Sequence, residues 1–121
     1  MRGLQWKNWN KKYAGIDLGR TSVQFSIYRE GQEEMTEESF PLSEEEQKEY
    51  IESGMRQVER YMETGGLRWP DFQAVHFSME DASEENRSKL KSAVSEELRK
   101  LHGVKVITHF RAFAEYVFHQ E

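Results

Sequence analysis

The stretch YAGIDLGRTSVQFSIY, residues 13–28, decides the fold of this chain. Its first part, Ala14 to Leu18, is short and mostly apolar. Its last part alternates apolar and polar or aromatic side chains from Val23 to Tyr28, which is typical of a half-buried strand. A glycine and two small hydroxyl residues lie between the two parts, as in many tight turns. The stretch therefore predicts two strands joined by a short hairpin turn.

The predicted turn brings an acid, a glycine and small hydrogen-bond donors together. Asp17 lies near the end of a buried strand, where an unpaired carboxylate is costly. Gly19 permits a close backbone approach, and Thr21 and Ser22 add hydroxyl and N–H groups. This set suits a divalent metal with its waters beside a phosphate. An ordinary turn, with Asp17 accepting backbone N–H bonds, fits the same residues.

The chain downstream alternates strand and helix patterns. Glutamates and Pro41 in the segment Glu33–Leu42 indicate a third strand at a sheet edge. A capping box of Ser43 and Glu46 opens a helix that the pair Gly65-Gly66 ends. We expect one face of this helix to be apolar and its glutamates to form a solvated face. The apolar face comprises Tyr50, Ile51, Met55, Val58, Tyr61 and Met62.

The rest of the chain repeats this alternation. Phe72–Met79 predicts a fourth strand that contains His76, which we expect to be packed rather than a ligand. A helix capped by Asp81 or Ser83 follows and stops at Gly103. Its predicted core stripe comprises Leu90, Val94, Leu98 and Leu101. The final segments predict a fifth strand over Val104–His109 and a third helix from Ala112.

The order βββαβαβα predicts an α/β domain with a five-stranded mixed sheet flanked by helices. Three strands joined by short turns form a meander, and two more return through right-handed parallel crossovers. This is the ribonuclease H-like arrangement. We expect one such domain over residues 13–121, preceded by a basic arm over residues 1–12 that carries Trp6 and Trp9.

The segment GIDLGRTSV resembles the first phosphate motif of the actin, heat-shock chaperone and sugar kinase ATPase superfamily. The resemblance extends over residues 13–121 and to the first of that superfamily's two lobes. It implies Mg²⁺ and ATP as ligands, with Asp17 orienting magnesium-bound water. It also implies phosphate contacts from Gly19, Arg20, Thr21 and Ser22, although Arg20 stands where a small residue is frequent.

A second landmark of that superfamily is altered here. The stretch ITHFRAFAEYV resembles the segment that leads into the connecting helix, but the family's acid is missing and His109, Phe110 and Arg111 occupy the region. The resemblance therefore implies a non-catalytic or half-site nucleotide-binding domain. As an isolated chain it would not be an enzyme, and its binding of Mg²⁺ and ATP would be weak or absent.

A metal-dependent nuclease of the ribonuclease H-like superfamily is the alternative. Such enzymes hold divalent metals with several carboxylates, one on the first strand and one near the end of the fourth. Asp17 with Glu80 or Asp81 has that spacing, and a third acid would come from the first helix or from Glu115. The pair Glu80 and Asp81 is equally explained as the start of a helix.

The composition and the net charge restrict the kinds of site, the cell compartment and the partners that we expect for either function. The chain has 121 residues, 32% of them charged and 36% hydrophobic, and no cysteine, so disulfides and thiolate metal sites are excluded. No apolar run approaches membrane-spanning length and no signal peptide is visible, so we expect a cytoplasmic protein without a membrane partner. A net charge of −5 makes nucleic acid an unfavourable partner.

The C-terminal segment predicts a protein partner. In a helix over Ala112–Glu121, Phe113 and Val117 share one face, whereas Tyr116 and Phe118 point to other sides. One helix face cannot bury all four side chains, so apolar area is left to cover. We expect a homodimer or a companion second-lobe protein to cover it. Packing of the rings within one domain is the alternative.

Overall fold

The computed structural model describes residues 11–29 and 35–107, which fold into one sheet with helices. The strands are β1 (Lys12–Leu18), β2 (Ser22–Arg29), β3 (Met35–Pro41), β4 (Phe72–Met79) and β5 (Val106–Ile107). The helices are α1 (Glu44–Gln47), α2 (Tyr50–Gly65), α3 (Glu84–Ala93) and α4 (Glu96–His102), with a 3-10 turn at Trp69–Asp71. β1 thus begins at Lys12, one residue inside the predicted arm.

The sheet has the strand order β3-β2-β1-β4-β5. β1 and β3 pair antiparallel with β2, while β4 pairs parallel with both β1 and β5. This is the predicted meander followed by parallel crossovers, so the predicted fold class is confirmed. β1 lies at the centre, because it pairs with the hairpin partner on one side and the first crossover strand on the other.

The core lies between β1, β2, β4 and the apolar face of α2. Ile16 and Leu18 on β1 are almost completely buried, as are Met55 and Val58 on the helix. Full burial of such side chains stabilises a fold by roughly 1.5–3 kcal/mol each. Tyr61 adds an edge-on ring contact to Phe25 at a centroid distance of 5.7 Å. The predicted apolar face of this helix is therefore confirmed.

Helix α2 lies close against the sheet at Gly54. A Cβ atom at this position would lie 2.7 Å from Cδ2 of Leu18 and 3.4 Å from Cβ of Val23. Both neighbours are fully buried. The glycine therefore allows the helix to pack against the ends of β1 and β2 that flank the hairpin turn.

The first predicted helix is divided into α1 and α2. The capping box is present, because Ser43 Oγ accepts from the Glu46 N–H and the Glu46 carboxylate accepts from the Ser43 N–H. At Glu49 the backbone turns to φ −131° and ψ 63°, outside the helical region, and the helix restarts at Tyr50. The prediction of one continuous helix was therefore wrong. No glycine or proline marks the break in the sequence.

The second predicted helix is also divided, into α3 and α4. Val94 is extended, and the Ser95 hydroxyl caps α4 by accepting from the Leu98 N–H. The predicted core stripe ends at Leu98, which is fully buried, whereas Leu101 is 49% exposed. The inclusion of Leu101 in the core was therefore wrong. Of the two predicted caps for α3, Ser83 is the one that accepts a hydrogen bond, from the Asn86 N–H.

Each outer strand can be compared with its prediction at one end. β3 ends at Pro41, one residue before the predicted end, and its central residues are exposed, as expected of a sheet edge. β5 begins at Val106, two residues after the predicted start, and reaches Ile107, where the described part of the chain ends. The predicted helix from Ala112, the altered landmark at His109 and the tryptophans of the arm also lie outside the described residues. None of the described helices is long and apolar enough to cross a membrane.

Candidate functional site

The hairpin turn between β1 and β2 is held by backbone hydrogen bonds. The Gly19 N–H donates to the Ser22 carbonyl at 3.0 Å, which closes the turn. The Thr21 carbonyl accepts from the Leu42 N–H at 2.8 Å, which ties the turn to the end of β3. The tip is thus fixed at both ends while Arg20 and Thr21 stay exposed.

The glycine of this turn is required by close approach. A Cβ atom on Gly19 would lie 2.9 Å from the Ser22 carbonyl oxygen, a distance that real Cβ atoms essentially never show. Among the described residues only Gly66 and Gly103 have a positive φ, so a left-handed conformation is not the reason for glycine here. The predicted role of Gly19 in a tight turn is therefore confirmed at the level of packing.

Asp17 is positioned by the strand on the other side of β1. It lies opposite Gln24 on β2 and Ser78 on β4. Its Oδ1 atom accepts from the Ser78 hydroxyl at 2.8 Å, and Ser78 is only 2% exposed. The bond fixes the carboxylate while the aspartate itself stays partly exposed. The acid therefore has the buried partner that its place in the strand requires.

The same face of β4 carries the predicted structural histidine. His76 lies two residues before Ser78 and opposite Gly15, and it is 6% exposed. Burial lowers the pKa of His76, and the positive charge of Lys105 lowers it further. The imidazole is therefore neutral at physiological pH, in agreement with the prediction that it is packed.

Glu80 joins the site from the end of β4. Its N–H donates to the Leu18 carbonyl at 3.3 Å, which extends the parallel pairing by one residue. Its Oε2 atom accepts from the Arg20 N–H at 3.2 Å. The carboxylate thus lies on the backbone of the hairpin turn. The sequence predicted Glu80 either as a metal ligand or as part of a helix start, and nothing in the sequence marks this contact between residues 60 apart.

The carboxylates of the alternative nuclease site have separate partners in the structure. Asp17 bonds to Ser78, Glu80 bonds to Arg20, and Asp81 is exposed at the turn before α3. Within residues 11–29 and 35–107, no group of three or more His, Cys, Asp or Glu side chains could hold a metal ion. A nuclease centre that depends on clustered carboxylates therefore receives no support from the described residues.

Tyr50 was predicted only as a core residue. In the structure it lies close enough to the hairpin for the charges there to affect the pKa of its hydroxyl. Burial raises the pKa of its hydroxyl, the positive charge of Arg20 opposes this rise, and Asp81 and Glu80 add to it. The hydroxyl accepts from Asn86 Nδ2 at 3.3 Å. The start of α2 thus borders the site, which only the folded chain shows.

A cavity lies at the end of α2, beside the 3-10 turn at Trp69–Asp71. It has a volume of about 470 Å³, and its apolar lining includes Met62 and Trp69, both buried. Glu59 also lines it, and no hydrogen bond or ion pair to this carboxylate is found within the described part of the chain. Burial raises the pKa of Glu59 above its ordinary value of 4.5. Glu59 is thus partly buried, whereas the prediction placed it on a solvated face.

We expect Glu59→Gln to stabilise the protein at neutral pH. The pKa of Glu59 is raised in the folded state, so the folded state holds the proton more firmly than the unfolded state does. The folded protein therefore loses stability as the pH rises from 4.5 through the raised pKa. The gain from the substitution should therefore be absent well below pH 4.5 and complete at neutral pH. The carboxyl group is partly solvated, so the gain should be on the order of a few tenths of a kcal/mol.

Urea unfolding of both proteins between pH 3.5 and 7.5 measures this gain. Glu63→Gln is the matched control, since this glutamate lies one turn later on the same helix and is exposed. An equal gain from both substitutions, or a gain from Glu59→Gln that does not depend on pH, would contradict the assignment.

The similarity of this chain to known proteins lies in its fold. No protein-family model matches the sequence, and no curated protein matches it. Among solved structures, YeaZ from Pseudomonas aeruginosa superposes with a TM-score of 0.53 at 10% identity, covering 90% of this chain and 49% of that one. A Bacteroides thetaiotaomicron protein of unknown function with the actin-like ATPase fold superposes with a TM-score of 0.51 at 11% identity, covering 97% of this chain and 42% of that one.

These likenesses agree with the topology of the described residues. The chain spans about half the length of YeaZ and somewhat less than half of the Bacteroides protein. The chain therefore has the actin-like ATPase fold and corresponds in extent to one ribonuclease H-like half of it.

Proposed function

We propose that this chain is a half-site phosphate-binding domain that binds the magnesium-complexed phosphates of ATP at the β1–β2 hairpin. A second protein surface would complete the cleft. The observation that carries the proposal is the Asp17 carboxylate, held by the buried Ser78 hydroxyl at 2.8 Å next to a turn with no space for a side chain at Gly19.

The donor set around Asp17 fits magnesium better than a metal that needs an all-protein cage. Magnesium is commonly held by one or two carboxylates together with waters and substrate phosphates. One carboxylate oxygen of Asp17 is engaged by Ser78, and the residue is partly exposed, so its other oxygen is available to metal-bound water. Asp17 would thus hold the hydrated ion, and the ion would neutralise phosphate charge.

The exposed part of the turn supplies groups for phosphate oxygens. Arg20 and Thr21 are exposed, and Ser22 is partly exposed. Within the described residues the Arg20 guanidinium takes part in no salt bridge, so its planar set of donors is available for an anion. The turn therefore combines one permanent positive charge with two hydroxyl groups beside the acid.

The extent of the match supports a half-site. Because the chain covers 49% and 42% of the two similar structures, we propose that it supplies one wall of a cleft. A wall open on one side neither excludes water nor holds a transferred phosphoryl group in line. We therefore propose that the isolated chain does not turn over ATP, and that a companion lobe or a second copy supplies the opposing wall.

Titration of the ¹⁵N-labelled chain with three ligands tests this proposal. We expect magnesium pyrophosphate and magnesium ATP to shift the same amides, those of residues 17–22, at millimolar concentration. Adenosine alone should shift none of these, because the site recognises phosphate. Absence of any shift at 10 mM ligand, or a response to adenosine at the hairpin, would contradict the proposal.

Asp17→Asn separates the metal role of the acid from its structural role. The amide oxygen can still accept from Ser78, so the fold should be retained, whereas binding of magnesium pyrophosphate should fall at least about tenfold. Asp81→Asn is the matched control, since it removes one carboxylate charge from an exposed position nearby. Equal losses of affinity in the two variants would show that the effect comes from the overall charge and not from a metal role of Asp17.

A further inference from the structure

We infer that Glu80 is a built-in competitor of the anion at the hairpin, whose carboxylate must leave the turn before phosphate can bind there. The inference rests on the proposed function, because it concerns the same turn. It goes beyond that function in assigning to Glu80 the control of anion affinity.

The geometry places a carboxylate where an incoming anion would sit. Oε2 of Glu80 accepts from the Arg20 N–H at 3.2 Å. The same oxygen lies 4.0 Å from the position that a Cβ atom of Gly19 would take. The carboxylate oxygen therefore lies next to both Gly19 and Arg20. An oxyanion that binds backbone N–H groups of a tight turn needs the same donor and the same space.

The contact is built so that the side chain can leave without disturbing the sheet. The backbone of Glu80 is anchored separately, by its N–H bond to the Leu18 carbonyl. Its side chain is exposed, and within the described residues the Arg20 N–H is the only hydrogen-bond partner found for its carboxylate. Rotation of the side chain therefore exchanges one exposed hydrogen bond for water and leaves the end of β4 in place.

The negative charge of Glu80 also opposes an anion that arrives while the carboxylate is in place. Two like charges about 4 Å apart repel each other, and they do so more strongly at a protein surface than in bulk water. Loss of this opposition corresponds to about a tenfold gain in affinity. We therefore expect Glu80→Ala to bind magnesium pyrophosphate about tenfold more tightly than the unchanged chain.

Two further variants separate occupancy from charge. Glu80→Gln removes the charge but keeps an oxygen that can accept from the Arg20 N–H, so its gain should be smaller than that of Glu80→Ala. Asp81→Asn removes an equal charge from the next residue, which makes no such contact, and should change affinity less than twofold. Equal gains in Glu80→Ala and Asp81→Asn would overturn the inference in favour of general charge.

A measurement without ligand tests the contact itself. Amide hydrogen exchange of Arg20 should be faster in Glu80→Ala than in the unchanged chain, because the N–H then faces water. Exchange at Leu18 and Ser22 should not change, since their bonds do not involve this carboxylate. An unchanged exchange rate at Arg20 would overturn the inference.

The outcomes of the titration distinguish the inference from the function beneath it. If the unchanged chain and Glu80→Ala bind pyrophosphate equally well, the proposed function stands and the role of Glu80 is wrong. A third outcome is that no variant binds pyrophosphate at 10 mM while Glu80→Ala still speeds amide exchange at Arg20. In that case the contact exists but the turn is not a phosphate site, and both proposals are wrong.

Discussion

Replacement of Gly54 by valine is expected to destabilise the protein by about 3 kcal/mol. A Cβ atom there would lie 2.7 Å from a methyl group of Leu18 and 3.4 Å from Cβ of Val23. Leu18 and Val23 are fully buried, so neither can move aside into solvent. The helix must therefore move away from the sheet, and the contacts of its whole apolar face weaken.

Urea unfolding measures the effect, with Gly65→Val as the matched control. Gly65 is the last residue of the same helix, and a Cβ atom there would meet nothing within 4 Å. Because valine has a slightly better helix propensity than glycine, the control should be neutral or slightly stabilising. A small or favourable effect of Gly54→Val would show that the helix can shift freely, contrary to the close packing described.

The second large effect is expected from Gly19→Val, which should abolish pyrophosphate binding and destabilise the protein by about 2 kcal/mol. The added Cβ atom would lie 2.9 Å from the Ser22 carbonyl oxygen. That oxygen belongs to the backbone and accepts the bond that closes the turn, so it cannot rotate away. The turn must open, and the donors at its tip then lose their common direction.

Titration with magnesium pyrophosphate, together with thermal unfolding, checks both parts of this prediction. Gly65→Val serves again as control, since it lies at the far end of α2 and should leave binding unchanged. A Gly19→Val protein that is folded and binds pyrophosphate as the unchanged chain does would rule out a role for the closed turn.

Local signals predicted most of the fold. The alternation in residues 13–28, the capping box at Ser43 and the 3.6-residue periodicity of α2 are each visible within a few residues. The two helix breaks at Glu49 and Val94 were missed because no glycine or proline marks them. At such positions the helices follow the surface they pack on, and tertiary contacts override helix propensity.

The candidate site was predictable only in part. Asp17 and Gly19 lie in one short motif, so the sequence predicted both of them as residues of the site. Ser78 and Glu80 join them through the parallel pairing of β1 with β4, across separations of 61 and 60 residues. Such contacts depend on strand register, which a single sequence does not display. The partner of the acid and the contact on the turn therefore had to come from the structure.

The central place of β1 has a consequence for how the protein acquires its site during folding. Its pairing with β2 is local, whereas its pairing with β4 closes a loop of tens of residues, and loops of that size form more slowly. The hairpin turn can therefore form early, but Asp17 gains Ser78, and Arg20 gains Glu80, only when β4 docks. In a stopped-flow refolding experiment, competence to bind the anion should appear with the slow long-range phase and not with the early hairpin.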